Sequence, residues 1–278
     1  MRKERVTENI YVFTSEVYAQ VTAGAIITSE GTVVIDTLPF PRETREMIEF
    51  LRAESKRGIR YVINTHHHAD HVYGNYLFTE ADIVSSERCR EVMRKSGEKN
   101  LAEAKAQTPE LGEVTLRLPN IVFPDKMSLF LGDLVMRLMP LLGHTQDGIG
   151  LYVEGDKILF AGDAVMPLPY IFWGDRETLQ NTLRAVKEMN LENIVQGHGE
   201  VLLKGEIDET LDVSIAYLDC ILEKVQAKLA TRTSKERLVN EIPLEACGFS
   251  PIALDGLVKQ LHRSNLLRVY QTLTAKSR

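Results

Sequence analysis

The stretch Thr65-His66-His67-His68-Ala69-Asp70-His71 places four of the chain's 7 histidines and one carboxylate in a single loop. It follows Arg60-Tyr61-Val62-Ile63-Asn64, where bulky and β-branched residues read as a short buried strand, so the histidines emerge at its C-terminal end. Imidazoles two residues apart on an extended segment point the same way, so His66 and His68 can grip one ion. Asp70 and His71, past the bend, would face a second ion close by. His67 falls on the opposite side by the same alternation and reads as structural, as does His262. A solvated polar loop is the ordinary alternative, and the metal-ligand spacing argues against it.

Three later residues stand in similar settings. His144 lies in Leu142-Gly143-His144-Thr145, Asp163 closes Ile158-Leu159-Phe160-Ala161-Gly162-Asp163, and His198 is flanked by Gly197 and Gly199. Each is a polar residue delivered by an apolar strand into a loop of small residues, which is how a rigid scaffold places a site. A single histidine in such a loop is more often a hydrogen-bonded structural residue.

The pattern His66-x-His68-x-Asp70-His71, followed by His144, Asp163 and His198, resembles the motifs of the metallo-β-lactamase fold superfamily over roughly residues 10–205. The resemblance implies a binuclear centre. One ion takes His66, His68 and His144; the other takes Asp70, His71 and His198; Asp163 bridges both. It also implies that Asp36, which could otherwise simply cap a turn, braces the metal loop from behind. Two Zn²⁺ per chain suit these donors, with Fe or Mn as other occupants. Subclasses of true β-lactamases place a cysteine where Asp163 stands, and quorum-quenching lactonases place a tyrosine where Met166 stands. The ligand set is instead similar to that of glyoxalase II and lactonases. The implied chemistry is attack by a metal-bridging hydroxide, oriented by Asp70 and Asp163, on a small ester, lactone, thioester or amide, with weak β-lactam opening as a side activity. An iron-dependent persulfide-type oxygenase and a phosphodiesterase are the rival readings.

These residues need strands to carry them. Residues 10–14, 17–29 and 32–36 read as successive strands, with Ser29-Glu30-Gly31 as a hairpin turn. Residues 41–56 read as a helix with Pro41 in its first turn and an apolar stripe of Met47, Ile48 and Leu51. A strand at 82–85, a helix over Glu87–Gln107, and a hairpin of Met127–Leu131 with Leu134–Pro140 follow. Strands at 149–154 and 157–161, an amphipathic helix at 175–190 and a strand at Asn193–Gln196 complete the series. Residues 108–126, rich in Pro and Gly, are expected to overhang the site. Periodicity alone predicts mixed α and β. Two β-rich halves with their own helices suggest sheet packed on sheet, and the resemblance implies the α+β, four-layer αββα sandwich. Tyr73, Tyr170, Phe172 and Trp173 stand beside the ligand loops and either wall a pocket or pack beneath it.

The chain has 278 residues, 44% hydrophobic and 26% charged, with a formal net charge of -6. That balance, with no dense basic cluster, argues against a nucleic-acid surface, and the resemblance implies a small-molecule substrate. No apolar run long enough to cross a membrane is present, and the N-terminus lacks the apolar core of a signal peptide. Cys89, Cys220 and Cys247 form no CxxC pair, so reduced structural thiols and a cytoplasmic location are expected.

Residues 1–205 read as the catalytic domain and 206–278 as a helical appendage. Ile207, Leu211, Ile215, Leu218, Leu222, Val225 and Leu229 recur at steps of three and four. That stripe suits an intramolecular core or a homodimer seam. Shorter helices are expected near 234–241 and 252–263, with residues 265–273 reaching back toward the loops at 108–126.

Overall fold

A computed structural model describes residues 1–276. The first sheet is antiparallel through β1 (Arg2–Arg5), β2 (Ile10–Thr14), β3 (Thr22–Thr28) and β4 (Gly31–Ile35). Helix α1 (Pro41–Glu54) then crosses to β5 (Ile59–Ile63), which runs parallel to β4. The short helix α2 (Ala69–Val72) follows the histidine loop. β6 (Asp82–Ser86), α3 (Glu87–Gln107) and β7 (Ile121–Phe123) complete a seven-stranded sheet in sequential order. The Ser86 hydroxyl caps α3 by accepting from the amide of Cys89.

The second sheet has six strands. β8 (Met127–Leu131), β9 (Leu134–Pro140), β10 (Ile149–Val153) and β11 (Ile158–Gly162) form an antiparallel meander. α4 (Arg176–Lys187), capped by Asp175, leads to β12 (Asn193–Gln196), parallel to β11, and β13 (Val201–Leu203) closes the edge. α5 (Lys204–Ala230), α6 (Lys235–Glu241) and α7 (Val258–Lys276) end the described chain.

The sheets pack face to face. Ile10, Val12, Ile26, Val33 and Ile63 of one interleave with Met136, Leu138, Leu151 and Phe160 of the other. Outside the first sheet, Met47, Ile48 and Leu51 of α1 cover Phe13, Val34, Val62 and Ile83. Outside the second, Leu179, Leu183 and Val186 of α4 join Tyr217, Leu218, Ile221 and Leu266 of the C-terminal helices in one apolar cluster. The result is an α+β, αββα sandwich. At one edge the strand ends of both sheets are stitched together: the amide of Ile149 donates to the carbonyl of Thr65 at 2.8 Å, and that of Thr22 to Gly197 at 2.9 Å.

Several expectations are corrected. The segment 17–29 is a loop followed by a strand from Thr22, because Ala19 and Gln20 take left-handed φ of 47° and 50°. The helix expected at 252–263 is a 3-10 turn, Leu254–Gly256, then a long helix from Val258, since Leu254 and Asp255 are also left-handed. Cys220 and Cys247 are joined in a disulfide across 27 residues, tying α5 to the turn Leu244–Cys247. The expectation of reduced thiols holds only for buried Cys89, so the cysteines no longer support a cytoplasmic location. No helix among the described residues is long and apolar enough to cross a membrane.

Candidate metal centre

The ends of β5, β9, β11 and β12, with α2, converge on one point beneath the stitched edge. His66 and His68 follow β5, Asp70 and His71 lie in α2, His144 follows β9, Asp163 follows β11 and His198 follows β12. Their donor atoms fall into two groups that could each hold a metal ion: His66, His68, His144 and Asp163, and Asp70, His71 and His198, with the atoms of each group within 4.8 Å of one another. All seven residues singled out from sequence are therefore brought together.

Asp163 stands between the groups. Its Oδ2 lies 3.3 Å from Nε2 of His144 and 3.7 Å from Nε2 of His66. Its Oδ1 lies 3.2 Å from Nε2 of His71 and 3.6 Å from Nε2 of His198. Asp70 Oδ2 completes the second group at 3.4 Å from His198 and 3.9 Å from His71. The close approach depends on Gly197, where a Cβ would fall 1.9 Å from Asp163 Oδ1.

Hydrogen bonds on the far side of each ring decide which nitrogen faces the centre. His144 Nδ1 donates to the carbonyl of Tyr170 at 2.7 Å, and His198 Nδ1 to that of Ala19 at 2.8 Å. His71 Nδ1 donates to Asp36 Oδ2 at 2.8 Å. The Thr65 hydroxyl gives its proton to the same carboxylate at 2.7 Å, so it accepts from His66 Nδ1 at 3.0 Å. With Nδ1 protonated, neutral rings aim the Nε2 lone pair inward, as metal ligands require. His66 Nε2, His71 Nε2 and Asp163 Oδ1 are buried there with no hydrogen-bond partner in the protein, and His68 Nδ1 sits 3.1 Å from His144 Nε2. Such orphaned donors and acceptors fit a bound cation.

Asp36 is the brace of this arrangement. Its Oδ1 also accepts from the amide of Thr65 at 2.8 Å, and it sits buried at a left-handed φ of 57°. The same Thr37 segment crowds Gly74, where a Cβ would meet the Thr37 carbonyl at 2.5 Å. His67 points elsewhere, with Nδ1 2.9 Å from Asp147 Oδ1 and its amide donating to Oδ2 at 3.0 Å. His262 is a buried packing residue between Tyr217 and Ile242.

Electrostatics follow the same division. Burial holds His66, His68 and His144 below the ordinary imidazole value. Burial opposes charge on His71 and His198 as well, yet Asp163 and its fellow carboxylates outweigh it and raise both. Burial would raise Asp163, but His71, His198 and His144 hold it well below the carboxylate range.

A cavity of about 670 Å³ opens onto the centre. Tyr73, Tyr170 and Trp173 line it, whereas Phe172 stacks on Tyr170 outside it. The Asp70 carboxylate and burial together push the Tyr18 phenol, at the cavity rim, up to about 12. Sequence reasoning missed Tyr18, Asp147 and the supporting carbonyls of Ala19 and Tyr170, whereas the expected reach of the C-terminal segment toward the site agrees with Gln260, Leu261 and Ser264 of α7 lining the cavity. The bonds of the tail differ from expectation. Leu116 of the 108–126 loop lines the cavity with α7, but the bonds of Asn265 and Arg268 go to residues 169–174.

Residues 18–198 match the profile described as the metallo-beta-lactamase superfamily. The metallo-beta-lactamase type 2 of Bacillus cereus is 27% identical over 226 residues, covering 75% of this chain and 80% of that protein. The hydroxyacylglutathione hydrolase of Pelagibacter ubique is 26% identical over 210 residues, covering 71% and 78% respectively. Among solved structures, a metallo-beta-lactamase family protein from Thermus thermophilus superposes with a TM-score of 0.74 at 16% identity, covering 98% of this chain and 95% of that one. That likeness concerns the fold.

Proposed function

The chain belongs to the metallo-beta-lactamase superfamily of metallo-hydrolases, and from that premise we propose that it binds two Zn²⁺ and hydrolyses a small ester, lactone, thioester or amide. The observation that carries this reading is the split of Asp163, one carboxylate oxygen toward each histidine group. His66, His68 and His144 would hold one ion and Asp70, His71 and His198 the other, with Asp163 shared. The ions would supply Lewis acidity and a water of lowered pKa.

The chain's own residues do the rest. Asp36, through His71 and Thr65, keeps the loop rigid and the Nε2 lone pairs inward. Among the described residues, Asp70 and Asp163 are the only carboxylates lining the cavity, and either can accept a proton from an attacking water. Tyr18, which keeps its proton at neutral pH, can donate a hydrogen bond at the rim. The similarity to a hydroxyacylglutathione hydrolase supports acyl chemistry, and an aspartate at position 163 supports it over dedicated β-lactam opening.

The test is metal analysis joined to a substrate panel. Two zinc equivalents per chain and turnover of esters or thioesters are expected. One iron per chain with oxygen consumption would replace the reading with an oxygenase, and turnover of phosphodiesters alone would replace it with a phosphodiesterase.

A further inference from the structure

The walls of the cavity differ from its floor. Charge is confined to the floor, at Asp70, Asp163 and the histidines, and no lysine or arginine among the described residues lines the cavity. One part of the lining is built by Leu254 and Leu257, just before α7, with Leu261 in its first turn, and another by Val72, Met93 and Leu116. The polar groups between them, such as Asn100 and Gln260, are neutral.

Cations are present nearby but turned away. On α7, Arg263 donates to Asn240 and Arg268 to the carbonyl of Gly174, while Lys259 lines a separate groove beside Val239 and Asn240. On α3, Lys95 pairs with Glu91, Lys99 with Glu103, and Arg90 donates to the carbonyl of Pro119. A carboxylate carried into the cavity beyond the reacting group would lose hydration without gaining a cationic partner, which is costly. Methylenes carried there would instead leave water for an apolar surface.

We infer that the substrate is a neutral acyl compound whose apolar chain lies along α7, and that substrates with a remote carboxylate are rejected. The inference rests on the hydrolase reading above and narrows it. Glutathione thioesters carry two carboxylates remote from the scissile bond, so the same walls disfavour them. A cavity of about 670 Å³ lies within the range that drug-sized ligands fill, which accommodates a medium-length chain.

The test uses the metal-loaded full chain and S-acyl-N-acetylcysteamine thioesters from acetyl to octanoyl, each beside a counterpart with a terminal carboxylate. The kcat/KM should rise about three- to fourfold per added methylene until the cavity is filled. The terminal carboxylate should lower it at least tenfold. Gln260→Arg, at an exposed position on the wall, should narrow that ratio at least threefold. A flat response to chain length, equal or better turnover of the carboxylates, or an unchanged ratio in the variant would each overturn the inference. If no ester, lactone, thioester or amide is hydrolysed, the hydrolase reading fails instead, and the walls are read by calorimetry with N-hexylacetamide and 6-acetamidohexanoate. Binding of the neutral compound at least tenfold tighter sustains the inference; equal, reversed or absent binding of both overturns it.

Discussion

Asn265 holds the peptide segment that orients His144. Its Nδ2 donates to the carbonyl of Pro169 at 2.7 Å and its Oδ1 accepts from the amide of Ile171 at 2.9 Å. Between them lies Tyr170, whose carbonyl takes the Nδ1 proton of His144. The amide side chain is fully buried on α7, so the C-terminal helix reaches the candidate centre through two hydrogen bonds and one carbonyl.

Replacing Asn265 should therefore be felt at the metals. Asn265→Leu keeps the branched outline but leaves the Pro169 carbonyl and Ile171 amide unpaired. Metal affinity should fall about 10- to 100-fold, the usual effect of losing an outer partner. Titration of the Co²⁺-substituted protein, followed by its visible spectrum, reads this directly. A variant that melts earlier but binds Co²⁺ as before would reduce Asn265 to a packing residue.

Asp36 plays the matching part on the other side of the centre. Asp36→Asn suits its left-handed backbone, yet an amide cannot accept from Thr65 and His71 with the same strength. Affinity should drop about 10- to 100-fold with little change in the fold. Asp36→Ala should add backbone strain of about 1–2 kcal/mol. Competition with a chelator and melting of the metal-free protein separate the two effects. Equal affinity in Asp36→Asn and the parent would remove Asp36 from the centre's support.

The sequence was most readable where side-chain identity carries the information. The limits of α3 and the β8–β9 hairpin coincide with its turn and cap residues, because Ser86 and Gly132-Asp133 mark local geometry. The candidate ligands stood out because histidine and aspartate rarely end apolar strands without reason. β1 was missed because Arg2–Arg5 is charged and exposed, and only pairing with β2 makes it a strand. β13 is three residues long, too short to show a period. The supports at Ala19 and Tyr170 are backbone carbonyls, which have no residue signature. The disulfide arises only when the turn Leu244–Cys247 docks on α5, and the Asn265 contacts only when α7 docks on residues 169–171, which no local pattern encodes.

His67 and His68 differ in role despite being neighbours. His67 bonds Asp147, and that carboxylate, which burial alone would raise, is held low by the His67 bond. His67→Ala should keep the full metal content and cost about 1–3 kcal/mol of stability by stranding Asp147. His68→Ala should deplete the ion held with His66 and His144. Emission spectrometry on both variants checks this, and equal metal loss would show that the loop has been misassigned.

A pH effect is expected away from the metals. His262 Nε2 donates to the Ile242 carbonyl, and its Nδ1 accepts from the Tyr217 hydroxyl, each at 2.9 Å. That hydroxyl in turn accepts from Asn265 at 3.1 Å. Burial holds the His262 pKa below its ordinary value, so the folded chain resists protonation while the unfolded chain takes up a proton near pH 6.5. Stability is thus fully present above about pH 6.5 and declines as pH falls below it toward the folded value. The melting temperature of the parent should fall more steeply between pH 6.5 and 5 than that of His262→Gln. Parallel profiles would exclude His262 as the cause.

Gly197 gives the sharpest steric test of the shared carboxylate. Its φ is not left-handed, so alanine meets no backbone penalty there. The added Cβ would instead lie 1.9 Å from Asp163 Oδ1 and 2.7–2.8 Å from backbone atoms of Gly162 and Asp163. The carboxylate can escape only by turning Oδ1 away from His71 and His198, while the backbone shift costs about 1–3 kcal/mol. Gly197→Ala should therefore keep its circular dichroism spectrum, melt a few degrees lower, and lose at least one ion per chain with at least a tenfold fall in turnover. Because Asp163 would be displaced rather than removed, a high concentration of Zn²⁺ should restore part of the metal content. A Gly197→Ala protein with two tightly held ions and parental turnover would mean that Asp163 does not need its present position, and the shared-carboxylate reading would fail with it.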